Sequence, residues 1–277
     1  MTDNISIQTI DMPNIFNIPE CKSPKTSQKR ANFERAKKTW EFYGGSYYLL
    51  RYLLLASDDF RKEHSQTFLQ NMYETLDTTD KHFYDDYHKD RKAWEENDDT
   101  EALYNYASYR KVLLRDEDGS AKLHYMNCTR NRNSKSLYAY AEALRWGLIQ
   151  TNTNQISLEF DLITQIQNNR AAASDAHKMN WYINHNADSL YEYACMLAAD
   201  GDVQTVQETN VQTAHALHCM NYKLNNHCGS LFAYFICVYY GEGCAKNKSL
   251  AKSLLEEYKK SQDILDLEEL DKYTFDE

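Results

Sequence analysis

The chain has 277 residues, and its 8 glycines and 3 prolines are far fewer than a sheet protein of that length needs for its turns. A composition of 42% hydrophobic and 13% aromatic residues supplies an ample core and excludes collagenous or wholly disordered chains, leaving an all-α fold. Thirty-one Lys and Arg against 41 Asp and Glu give a formal charge of −10, which disfavours nucleic acid and anionic membrane and favours a basic protein partner.

Residues 1–30 hold every proline (Pro13, Pro19, Pro24) and the polar run Lys22–Arg30, and read as an extended N-terminal arm. Ile10, Ile15, Phe16 and Ile18 are apolar enough for that arm to dock. The opening Met1-Thr2-Asp3-Asn4 lacks the basic and apolar regions of a secretory signal. Seven cysteines, an odd count, then point to reduced thiols and a cytoplasmic protein. The longest apolar stretch, near Tyr47–Ala56, contains Arg51 and is too short to span a bilayer.

Residues 31–99 have helical periodicity and form an N-terminal helical region. Beyond it, glycines punctuate the chain at 119, 147, 201, 229, 241 and 243, and a short pattern returns four times. The copies are Ala102-Leu103-Tyr104-Asn105-Tyr106-Ala107, Ser136-Leu137-Tyr138-Ala139-Tyr140-Ala141, Ser189-Leu190-Tyr191-Glu192-Tyr193-Ala194 and Ser230-Leu231-Phe232-Ala233-Tyr234-Phe235. Their leucines are separated by 34, 53 and 41 residues, a spacing that suits helix–turn–helix repeats over residues 100–262. Each copy opens a first helix, and the second helices are expected at Ala121–Arg130, Ser157–Asn168, Gln204–Tyr222 and Ser249–Ser261. The longest interval is expected to hold a loop or extra turn around Ala171–Asn180. Residues 263–277 carry seven acids and one lysine and form an acidic cap or tail.

Within each copy the leucine, the second aromatic and the residue after it fall on one helix face and are expected in the core. The first aromatic (Tyr104, Tyr138, Tyr191, Phe232) lies about 100° away. It packs on the adjacent repeat or lines a concave binding surface. The run Glu95-Glu96-Asn97-Asp98-Asp99 either complements the start of the following helix or forms an anionic docking rim, and both can hold at once. His215, His218, Cys219, His227 and Cys228 make a candidate tetrahedral zinc set, read equally as core fillers because no C-x-x-C or H-E-x-x-H spacing is present. His82, Asp85, Asp86 and His88 sit on a stretch charged enough to be a solvated helix face. No Gly-x-Ser-x-Gly, phosphate loop or dinucleotide fingerprint occurs, so no catalytic or cofactor-binding residue is assigned.

The segment Tyr239-Tyr240-Gly241-Glu242-Gly243-Cys244-Ala245-Lys246-Asn247-Lys248-Ser249-Leu250-Ala251 resembles the Sel-one-like repeat, a relative of the tetratricopeptide repeat. Gly241, Gly243, Asn247 and Ala251 match that pattern, while Cys244 and Leu250 replace its usual valine and lysine. The resemblance implies an α-solenoid superhelix used for protein–protein contact, without catalytic residues. A disulfide between Cys195 and Cys219 would follow only from the secreted branch of that family. The resulting expectation is a non-enzymatic binding protein, most concretely a cytosolic immunity protein that neutralises a basic toxin. It would use Tyr104, Tyr138 and Tyr191 for contact and Glu95, Glu96, Asp98 and Asp99 as the rim. An interaction scaffold, a bacterial effector that binds host proteins, or a zinc domain on the His215–Cys228 cluster are the alternatives.

Overall fold

The computed structural model describes residues 26–58, 60, 64–148, 160–199, 204–261, 270 and 273–275. Among the described residues the fold is all-α. Its elements are α1 (Thr26–Tyr43), α2 (Ser46–Asp58), α3 (Gln66–Glu74), α4 (Thr78–Asn97), α5 (Thr100–Leu114) and α6 (Glu117–Asn131). They are followed by α7 (Ser134–Arg145), α8 (Phe160–Asn184), α9 (Ala187–Ala199), α10 (Gln204–Asn225), α11 (Cys228–Tyr240) and α12 (Lys248–Ser261). Residues 26–30, read from sequence as the end of the arm, already belong to α1, since nothing after Pro24 interrupts a helix. Residues 1–25 lie outside the described residues, as do 262–269 of the acidic segment.

The chain forms two compact units that divide between Ala172 and Ala173, inside α8. In the first, α2 is the centre: Leu50, Leu53 and Leu54 are fully buried among α1, α3, α4 and α5. From α4 to α7 each helix packs on the next in the chain. In the second unit the same succession runs from α9 to α12.

The four-copy pattern places its leucines as its period requires. Leu103, Leu137, Leu190 and Leu231 are all buried, as are Tyr106, Tyr140 and Tyr234, while Tyr193 is half-buried. Three sequence expectations need correction. Ala171–Asn180 is not a loop or extra turn but lies within α8, where Ala173, Ala176, His177 and Asn180 are fully buried. Part of the extra length of that interval lies in α8 itself, which places the second helix at Phe160–Asn184 instead of Ser157–Asn168. Gly119 and Gly229 do not punctuate; they sit in the first turns of α6 and α11.

The boundaries are made instead by a left-handed residue followed by a capping residue. Asp98, Arg132, His185 and Asn226 have φ between 51 and 53°, each five residues before a pattern leucine. The next residue in each case (Asp99, Asn133, Asn186, His227) accepts the backbone N–H three positions on, at 2.8–3.0 Å. Short polar side chains tolerate the left-handed region and cap helices, so the turn needs no glycine at three of the four joints. The arginine at the remaining joint, Arg132, has no such local reason.

Glycine is obligatory at the turn that carries the Sel-one-like resemblance. Gly241 (φ 84°) closes α11, and Gly243 has φ 70°. A Cβ on Gly243 would lie 2.4 Å from the Val211 carbonyl oxygen, so α10 passes directly against this backbone. Beyond α12, Leu270 is buried, Tyr273 packs edge-on to Phe235 with ring centroids 4.8 Å apart, and the Tyr239 hydroxyl donates to the Thr274 carbonyl at 3.1 Å. These residues cover the last helix pair as a cap would.

Candidate functional site

The acidic run proposed as a rim is exposed and partly engaged. Glu95 and Glu96 pair with Arg91 (2.8 Å) and Lys92 (3.9 Å) one turn earlier on α4. Asp98 is the left-handed residue that ends α4, and Asp99 caps α5 by accepting from Glu101 and Ala102. Glu101 pairs with Lys135 of α7, the residue at the same position in the next copy.

The three tyrosines are half-buried. The Tyr104 ring packs 5.4 Å from His124, with the Lys135 ammonium 5.5 Å over it. The Tyr191 ring lies 5.6 Å from His218 and 5.2 Å from His227. Tyr138 occupies the equivalent place on α7. Much of the Tyr104 and Tyr191 rings is therefore committed to holding helices together.

The five residues of the candidate zinc set do separate work. The His227 Nδ1 accepts from the Ser230 N–H as the cap of α11, which leaves the proton on Nε2, directed at Asp188 at 3.1 Å. Cys228 meets Ser261 at 3.7 Å, Cys219 belongs to the core of α10–α12, and His215 packs on Tyr234. Among the described residues no three His, Cys, Asp or Glu side chains converge to hold a metal ion. No disulfide joins Cys195 and Cys219. On α4, Asp85 accepts from the Tyr73 hydroxyl at 3.0 Å and the His88 ring meets Ser57, so that cluster is tied to α2 and α3.

What the reading of apolar periodicity did not find is a buried polar node at three of the four joints. Aligning the copies thirteen residues upstream of their leucines gives His124-x-Met126-Asn127-x-x-x-Asn131, His177-x-Met179-Asn180-x-x-x-Asn184 and His218-x-Met220-Asn221-x-x-x-Asn225. Each segment ends a second helix, and nine residues after the first asparagine comes the serine of the pattern. Asn127 donates to Ser136 Oγ and to the Thr100 carbonyl, both at 2.8 Å, while its own oxygen accepts from Asn131 at 2.9 Å. Asn221 repeats this with Ser230 (2.7 Å), the Ala187 carbonyl (2.9 Å) and Asn225 (2.8 Å). Asn180 likewise bonds Ser189 (2.7 Å) and Asn184 (2.9 Å). All three asparagines and all three serines are buried, with both amide protons and the amide oxygen used in the first and third nodes.

The histidine completes the node. His124 Nδ1 lies 3.3 Å from Ser136 Oγ, and His177 Nδ1 lies 3.4 Å from Ser189 Oγ. Ser136 Oγ accepts from Asn127 and still has its own proton and a second lone pair, so it can meet either tautomer of a neutral His124 ring. In the third copy His218 Nδ1 is buried without a partner. Burial pushes both His124 and His218 down to about 4.

These depressed values fix the sign of an acid response. The unfolded chain takes up protons below its ordinary histidine value near 6.5, while the folded state keeps both rings neutral, so stability falls as pH drops from about 6.5 toward 4. Each histidine is expected to cost about 2 kcal/mol between pH 7.5 and pH 5. Urea unfolding at the two pH values measures this, and His124→Gln with His218→Gln should flatten the difference.

No protein-family model, curated protein or solved structure matches the chain. Among the described residues no helix is long and apolar enough to cross a membrane.

Proposed function

We propose that the protein is a Sel-one-like α-solenoid that binds another protein and has no enzymatic activity of its own. In its sharpest form it is a cytosolic immunity protein that neutralises a basic toxin. The observation that carries this reading is the recurrence of one helix joint, with the same left-handed turn, cap and buried asparagine, through α5–α7 and α8–α11. Stacked helix pairs of that kind present extended surfaces rather than a catalytic cleft. The net charge of −10 supports a cationic target.

Glu95 and Glu96 are the exposed steering charges in this reading, with the outer faces of Tyr104, Tyr138 and Tyr191 as contact area. Asp98 and Asp99 shape the same rim but also end one helix and start the next, so they are poor positions for a binding test. Binding is tested by capture from lysate followed by kinetics on the captured basic protein. Glu95→Lys with Glu96→Lys should slow association about tenfold at low salt and flatten its salt dependence, leaving dissociation nearly unchanged. Unaltered association in that variant would remove the rim from the binding surface.

A further inference from the structure

α3 and α4 both pack on α2, and they meet each other where the Tyr73 ring lies 5.3 Å from Tyr84 and its hydroxyl reaches Asp85. Beside that contact the helices leave a cleft of about 620 Å³, within the range of small-molecule sites. Its wall joins Ser57 at the end of α2, His64 and Gln66 ahead of and within α3, and His88 and Arg91 one turn apart on α4.

The polar groups here are unbalanced in kind. Among the described lining residues Asp85 is the one carboxylate, and it already accepts from Tyr73. Two further carboxylates stand next to the cleft and hold its walls: Glu95 takes the Arg91 Nε–H at 2.8 Å, and Glu74 takes the Gln70 amide at 2.7 Å. Ser57 donates to the Leu54 carbonyl, so its hydroxyl is not poised as a nucleophile and the cleft offers no serine–histidine chemistry. His64 is stacked on Phe68 with centroids 5.2 Å apart, and its Nε2 is buried with no hydrogen-bond partner. With its proton on Nε2, that ring joins the Arg91 guanidinium and the Gln66 and Gln70 amides in offering donors to a ligand that brings acceptors.

We propose that this cleft binds a small oxyanion, a carboxylate or a phosphate group, between Arg91 and His64. It shares Glu95, the ion-pair partner of Arg91, with the acidic rim, but does not depend on the protein-binding reading. The site supplies a charge-assisted donor on α4 and an imidazole on the approach to α3, held by aromatic packing, in a chain whose overall charge would otherwise repel anions.

The test uses the full chain, with histidine ring resonances followed by NMR at fixed pH and ionic strength. One series adds inorganic phosphate and a second adds citrate, which separates the two oxyanion sources. Saturable shifts are expected at His64 and His88 but not at the exposed His185. Arg91→Gln should weaken binding at least tenfold, and His64→Phe, which keeps the stacked ring but deletes the nitrogen, should weaken it several-fold. If Arg91→Gln does not fold, the wild-type shifts and His64→Phe decide. Shifts that rise without saturation to about 10 mM, or that spread equally over all histidines, would overturn the proposal, since an affinity weaker than that is no specific site. So would affinities unchanged in the folded variants.

Discussion

Asp116→Ala is expected to destabilise the protein by about 3–5 kcal/mol, the cost of leaving a buried charge without its partner. Arg110 on α5 is buried, and its Nε donates to Asp116 at 2.9 Å while another guanidinium N–H reaches the Tyr106 hydroxyl at 3.1 Å. Asp116 does two further things. It caps α6 by accepting from Gly119 at 3.0 Å, and it follows Arg115, a left-handed residue that ends α5. Removing it strands the guanidinium, uncaps α6 and loosens the turn between the two helices at once. Urea unfolding of the single variants and of Asp116→Ala with Arg110→Met separates these effects. The double variant should recover most of the loss, since an apolar side chain in place of the arginine leaves no buried charge.

Asn127→Ala should cost about 4 kcal/mol, more than an apolar truncation of similar size. Three hydrogen bonds end together, and they tie three places in the chain: the start of α5, the end of α6 and the first turn of α7. The Thr100 carbonyl and Ser136 hydroxyl are left buried beside a cavity. Asn221→Ala should behave alike in the second unit, where the Ala187 carbonyl and Ser230 take the same parts. By contrast Asn97, the last residue of α4 and directly before the left-handed Asp98, is exposed and should tolerate alanine with little change. Equal effects at Asn97 and Asn127 would mean that the buried amide does not hold the joint.

The helices and their inward faces were legible because apolar residues at helical spacing are a strong signal, and Leu103, Leu137, Leu190 and Leu231 lie where that signal puts them. The joints were harder to read. Their turns use Asp98, His185 and Asn226 in the left-handed region rather than glycine, so reading glycines as punctuation placed boundaries at Gly119 and Gly229, inside helices. The buried nodes escaped for a related reason. A scan that counts apolar residues scores His124, Asn127 and Ser136 as surface, although each is buried through its bonds to the others. The sequence did carry the signal, in the His-x-Met-Asn spacing repeated three times upstream of the pattern, but only an alignment of polar positions brings it out. Glu142 is half-buried and accepts from the Trp146 indole at 3.0 Å, a contact set by where α7 ends and invisible in the helix period.

The central claim is that buried asparagine amides join successive helix pairs, and side-chain amide exchange measures it most directly. In ¹⁵N-labelled protein at pH 7, the Nδ2 protons of Asn127, Asn180 and Asn221 should exchange far more slowly than those of the exposed Asn97 and Asn226, because both protons of a buried, bonded amide are released only when the joint opens. Protection of all three, lost at Asn127 and weakened at its neighbours in Ser136→Ala, is the predicted result. Side-chain exchange at Asn127, Asn180 and Asn221 as fast as at Asn97 would contradict the account.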